Sequence, residues 1–170
     1  MDRTDPQPVI ACIALGSNLG DRRATLAAAV KAIAALPGTT LRKTSDIIET
    51  DPVGPPGQPN YLNAAASVET TLSPRELLEA LLGIERAHGR ERRERWGART
   101  LDLDLVLYGD EVIDEPGLTV PHPSMRERVF VLAPLAQIEP GLIDPVTGRC
   151  IRELFERVST RARGDFTCGC

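Results

Sequence analysis

One stretch of the chain alternates strictly: Leu101-Asp102-Leu103-Asp104-Leu105-Val106-Leu107 places an apolar residue at every second position, the period of a half-buried strand. Leucines 101, 103, 105 and 107 are expected to face a core together. Asp102 and Asp104 then share the opposite face, ~7 Å apart along a strand spanning residues 100–108. Apolar runs at 9–15 and 62–69 read as buried strands, residues 41–50 as another, with shorter candidates at 112–113 and 130–132. Helical stretches differ in kind. Residues 21–36 are rich in alanine and close on Pro37-Gly38, and Ser73-Pro74-Arg75-Glu76 is a start signature, with a capping serine, proline in the first turn and glutamate completing the capping box. That helix is expected to run to His88, where Gly89 stops it, and a last helix covers 151–161. The segment 51–59 is so dense in Gly and Pro that only a shaped loop fits it.

The resulting order, β-α-β-β-α-β, predicts a ferredoxin-like α/β sandwich of the α+β class, a mainly antiparallel sheet with helices packed on it. There are too few helices for a doubly wound fold. With 170 residues, no repeats and no internal linker, the expectation is one catalytic domain with its core at about residues 9–160.

Composition narrows the classes. Hydrophobic residues make up 42% of the chain, enough for a packed core. No apolar run approaches the ~18 residues of a membrane span, and the opening MDRTDPQP lacks a signal-peptide core, so a cytoplasmic location is expected. The cysteines (Cys12, Cys150, Cys168, Cys170) form no C-x-x-C pair and have no neighbouring histidine, which argues for reduced thiols over zinc. The net charge of −4 is uneven: residues 86–99 hold Arg86, Arg90, Arg92, Arg93, Arg95 and Arg99 against only Glu91 and Glu94. Arginine is the side chain whose planar fork matches phosphate oxygens.

Two carboxylates on one strand face repel each other unless a cation intervenes, and a site of this kind suits Mg²⁺ completed by water and substrate phosphates. An isolated D-x-D is ordinarily a solvated strand face. Here the arginine cluster lies immediately upstream, and carboxylates for metal beside guanidinium groups for phosphate are what phosphoryl transfer requires. No Gly-x-x-x-x-Gly-Lys pattern is present, so a P-loop enzyme is excluded. Two other classes fit a D-x-D strand less well or differently. An RNA-binding ferredoxin-like domain needs aromatic residues on its central strands, whereas the chain is 4% aromatic and carries aspartates there. A D-x-D nucleotidyltransferase would release diphosphate.

The segment from Arg95-Trp96-Gly97-Ala98-Arg99 through Thr100-Leu101-Asp102-Leu103-Asp104-Leu105 resembles the signature of the 6-hydroxymethyl-7,8-dihydropterin pyrophosphokinase family of folate biosynthesis. Ala14-Leu15-Gly16-Ser17-Asn18-Leu19-Gly20, Tyr61-Leu62-Asn63-Ala64-Ala65, and Val120-Pro121-His122 with Arg128 and Phe130 agree in order, so the likeness covers about residues 10–140. The resemblance implies a ferredoxin-like fold and transfer of the β,γ-diphosphate of ATP, the co-substrate, to the pterin hydroxymethyl group. It implies two Mg²⁺ ions on Asp102 and Asp104, and Arg90 and Arg99 as catalytic partners. Arg92, Arg93, Arg95, His122 and Arg128 are implied for ATP, and Thr50, Val53, Gly54, Tyr61, Asn63, Trp96 and Phe130 for the pterin. Small-molecule substrates and a monomer are expected, with no nucleic acid and no membrane. Asp51 stands where a proline is common in the family's pterin loop; Gly117 and Pro123 replace larger side chains, and the arginine segment is one residue short.

Overall fold

The computed structural model describes residues 5–51, 57, 59–88 and 100–164. Four main strands, β1 (Val9–Ser17), β2 (Thr39–Thr44), β4 (Tyr61–Thr70) and β5 (Asp102–Tyr108), form an antiparallel sheet in the order β2-β4-β1-β5, and β3 (Ile48–Thr50) prolongs the β2 edge of β4. Helix α1 (Arg22–Ala34) joins β1 to β2, and α2 (Pro74–Ala87) joins β4 to β5. Because β4 lies antiparallel to both β1 and β2, those two run parallel with β4 between them; β4 and β5 likewise flank β1. Two interlocked βαβ units of this kind are the ferredoxin-like topology expected from the order of elements.

Local chemistry sets the helix ends. The Asp21 carboxylate accepts the N–H of Ala24 at 3.1 Å, and the Ser73/Glu76 capping box closes with Pro74 in the first turn of α2. Leu77, Leu81 and Ile84 of α2 pack with Leu26 and Ile33 of α1 against Ile13, Leu15, Leu101 and Leu103. Each fully buried leucine there contributes roughly 2 kcal/mol.

Three expectations needed correction. The strand foreseen over 41–50 is two, because the chain breaks at 45–47; there Ser45 Oγ accepts the N–H of Ala65 at 2.8 Å and keeps the ladder satisfied. Residues 130–132 are not a strand but the start of α3 (Val129–Ile138), which carries Pro134 inside it. A short apolar run has no period of its own, and burial of Leu132, Leu135 and Ile138 along one helical face decides the matter. Finally, the leucines of β5 do not all face one way. Ile13 pairs with Leu105 but Cys12 with Leu107, so Val106 is an extra residue in the ladder. This bulge sends Val106 and Leu107 into a second core with Cys12, Ala65, Met125, Leu132, Leu135, Ile151 and Leu154.

That second core lies on the other face of the sheet, under α3 and α4 (Ile151–Gly164). The sheet is therefore covered on both sides. A hairpin of β6 (Ile113–Glu115) and β7 (Leu118–Val120) and a 3₁₀ turn, Met125–Glu127, lead from β5 into α3. Arg126 of that turn holds Asp144 through both guanidinium arms, at 2.6 and 2.9 Å, and the fully buried Asp144 also accepts the Val146 N–H and the Thr147 hydroxyl. No helix among the described residues is long and apolar enough to cross a membrane.

Candidate functional site

Strand register builds the floor of the site. Gly16 pairs with Asn63 on one side and Asp102 on the other, and Ala14 pairs with Ala65 and Asp104. Residues opposite one another in antiparallel strands share a face. Two rows, Asn63-Gly16-Asp102 and Ala65-Ala14-Asp104, therefore lie on the face that α3 covers, and α3 stops short of the first. Above the gap a cleft of about 440 Å³ opens, in the range of small-molecule sites.

Gly16 keeps the floor low. A Cβ built there would stand 3.2 Å from Asn63 Oδ1 and 3.7 Å from Tyr61 Cδ1. Asn63 donates its side-chain N–H to Thr50 Oγ1 at 2.6 Å across the β3–β4 pair, which orients the amide and leaves Oδ1 beside the glycine. Phe130 and Val131 wall the cleft from the first turn of α3, and the Arg128 guanidinium lies 5.7 Å from the Phe130 ring centroid. His122 is anchored by its N–H to the carbonyl of Val106, the bulged residue, at 3.0 Å. Its Nδ1 accepts the Ser124 N–H at 3.2 Å, so Nε2 carries the ring proton. Burial, with the Arg128 charge adding to it and Asp102 opposing, holds His122 below the usual imidazole range, neutral at pH 7.

Every predicted site residue that falls in the described part, namely Asp102, Asp104, His122, Arg128, Thr50, Tyr61, Asn63 and Phe130, lines this one cleft. Arg90, Arg92, Arg93, Arg95, Trp96, Arg99, Val53 and Gly54 lie outside the described residues. Among the described residues no cluster of three or more metal-binding side chains exists. Asp102 and Asp104 nevertheless fit a hard divalent ion that draws its remaining ligands from phosphate and water, since both are half-buried on the face of the cleft opposite small residues.

Two contributors escaped the sequence reading. Gly16 was one, its role being the absence of a side chain. The other is Glu85, buried on α2, whose carboxylate accepts the N–H of Leu103, the residue between the two aspartates, at 2.7 Å. Its signal was spacing: position 85 falls four residues after Leu81 and eight after Leu77, on the apolar stripe of the helix.

The fold and the cleft thus define a ferredoxin-like α+β protein whose cleft sets aromatic and amide side chains next to a pair of metal-fit carboxylates. The profile of the 7,8-dihydro-6-hydroxymethylpterin-pyrophosphokinase family matches residues 12–140, and the chain belongs to that family. It is 52% identical over 129 residues to the 2-amino-4-hydroxy-6-hydroxymethyldihydropteridine pyrophosphokinase of Bacillus subtilis, covering 76% of this chain and 77% of that one. The enzyme of the same name from Haemophilus influenzae is 48% identical over 149 residues, covering 88% and 92%. Among solved structures, a Plasmodium falciparum HPPK-DHPS triple mutant superposes with a TM-score of 0.75 over 96% of this chain, at 16% identity, a likeness of fold. This chain spans 46% of that longer one.

Proposed function

We propose that this chain transfers the β,γ-diphosphate of ATP to the hydroxymethyl group of 6-hydroxymethyl-7,8-dihydropterin, giving the pterin diphosphate and AMP in folate biosynthesis. The observation that carries the reading is that one cleft holds Asn63, Tyr61 and Thr50 on one side of Gly16 and Asp102 and Asp104 on the other. An aromatic and amide wall suits a flat heterocycle, and a carboxylate pair suits the metal that accompanies a triphosphate.

In this reading Asp102 and Asp104 hold two Mg²⁺ ions, which when bound neutralise the triphosphate and polarise the reacting oxygens. The Asn63 amide and the rings of Tyr61 and Phe130 hold the pterin so that its hydroxymethyl arm points toward the β5 side. His122, through Nε2–H, and Arg128 steady the nucleotide phosphates. Arg90 and Arg99 neutralise charge on the moving diphosphate, Arg92, Arg93 and Arg95 serve ATP binding, and Trp96, Val53 and Gly54 belong to the pterin pocket, roles supported by the family signature. The hydroxymethyl oxygen bonds to the β-phosphorus while that atom's bond to the α,β-bridging oxygen breaks; AMP leaves with the electron pair and the alcohol proton passes to solvent. Small-molecule partners alone, a single catalytic domain and a monomer belong to the same proposal.

Incubation with Mg-ATP and the hydroxymethyl dihydropterin, followed by chromatography of the nucleotides, tests it. AMP formed in step with pterin diphosphate is expected. Free diphosphate with a nucleotidylated product would establish a nucleotidyltransferase, and the absence of both products would refute transfer.

A further inference from the structure

The cleft carries a carboxylate at each end. In the sheet, β3, β4, β1 and β5 lie side by side, so Ile48, in register with Asn63, Gly16 and Asp102, stands three strand spacings from Asp102, ~14 Å, and Thr50 lies two residues further along β3. Asp51 directly follows Thr50 and lines the same cleft. Among the described residues it forms no cluster with Asp102 and Asp104 able to hold a metal. Nor does a described cation come within ion-pair distance of it.

The end of the cleft at β3 is where the donor-rich edge of a pterin belongs. A pterin presents N3–H and a 2-amino group on the side of the ring remote from its hydroxymethyl arm, and the arm must reach toward Asp102 and Asp104. Asn63 accepts only through Oδ1, since its amide nitrogen is a donor and gives an N–H to Thr50. Among the described residues of the cleft beside β3, Asp51 adds a carboxylate to that one amide oxygen as an acceptor for those N–H groups. An ionised carboxylate is the strongest acceptor a side chain offers. We propose that Asp51 is a specificity-determining residue that accepts hydrogen bonds from the 2-amino edge of the pterin and rejects rings bearing oxygen at that position. The assignment rests on the pterin reading of the cleft.

Equilibrium binding to the full chain tests it, with Mg²⁺ and a non-hydrolysable ATP analogue present throughout. The probes are 6-hydroxymethylpterin and 6-hydroxymethyllumazine, which carries a 2-oxo group in place of the amine. Wild type is expected to prefer the 2-amino ring by about tenfold or more, since a carboxylate facing a carbonyl oxygen has no proton to share. Asp51→Ala should weaken pterin binding by about tenfold and leave lumazine binding unchanged, abolishing most of the preference. Asp51→Asn, whose amide can donate, should favour lumazine relative to Asp51→Ala. The ATP analogue should bind all three proteins alike. Pterin affinity within twofold of wild type in Asp51→Ala, or a wild type indifferent to the two rings, overturns the assignment. Because binding and not turnover is read, failure to form AMP counts against the reaction and leaves the Asp51 result standing by itself.

Discussion

A single methyl group on the floor of the cleft should separate activity from stability. In Gly16→Ala the new Cβ would meet Asn63 Oδ1 at 3.2 Å and Tyr61 Cδ1 at 3.7 Å, the first closer than ordinary contact and the second within it. Gly16 lies in β1 and is not among the positive-φ glycines, so alanine adopts its backbone without strain, and its lower unfolded-state entropy favours folding by about 0.5–1 kcal/mol. That gain roughly offsets the few tenths of an ångström by which the Asn63 amide must retreat. The melting temperature should accordingly stay within about 3 °C of wild type. The site has no such margin. A ring lying on this floor is lifted by about an ångström, and Asn63 loses its set against Thr50; misplacement of that size costs on the order of 10²-fold in rate. We expect kcat/KM for the pterin to fall by about 10²-fold while the KM for ATP changes by less than about threefold, read from coupled AMP formation alongside thermal melts. Full pterin activity in Gly16→Ala would refute the placement of the ring on this floor, and a collapsed melting temperature would refute the claim that the floor is unstrained.

Asp102→Asn and Asp104→Asn should each lower turnover by at least about 10²-fold while near-isosteric side chains keep the melt close to wild type; near-normal turnover in both would end the metal assignment. Asp144→Ala leaves the Arg126 fork and two further donors without their acceptor, at a cost of about 2–4 kcal/mol, or roughly 5–15 °C in melting temperature. Burial alone would raise the Asp144 carboxyl, but the Arg126 fork with the Val146 and Thr147 bonds holds it below the ordinary 3.8; the stability difference from Asp144→Ala should therefore be complete above about pH 4 and shrink as pH falls through the depressed value, and a pH-independent difference would contradict this. His122 has the opposite charge type: its folded value lies below 6.5, so the folded state binds the proton less well than the unfolded one and loses stability as pH drops beneath 6.5, a slope that His122→Gln should flatten in melts taken between pH 5 and 7.5.

What the sequence disclosed was local. The capping box at Ser73 and Glu76 and the alternation about Asp102 each depend on residues within a turn or a few strand positions of one another, and each stands where expected. The cleft residues were legible because a specific signature fixed Asp102 and Asp104 and ordered segments supplied the rest. What escaped depends on partners distant in the chain. The Val106 bulge exists only in the pairing with β1, and no period in β5 announces it. The run Phe130-Val131-Leu132 suits a strand or a buried helix equally, and only the sheet beneath it chooses. Glu85 falls on the apolar stripe of α2, and the N–H of Leu103, on another element, gives its buried carboxylate a partner in the sheet.

The covering of the sheet on both faces also has a bearing on the order in which the molecule is made. Synthesis from the N-terminus completes the whole β-α-β-β-α-β topology with Tyr108, and with it the core beneath α1 and α2 except for Ile113, Leu118 and Val120 of the following hairpin. At that point the floor of the cleft, with Asp102, Asp104, Asn63 and Gly16, is formed, but Cys12, Ala65, Val106 and Leu107 still present an apolar face to solvent. His122, Arg128 and Phe130 arrive only with the next two dozen residues, and α3, which begins with Val129 and Phe130, docks by burying that same face. The nascent domain thus exposes an apolar face for as long as its cleft lacks this wall, and one docking event ends both conditions.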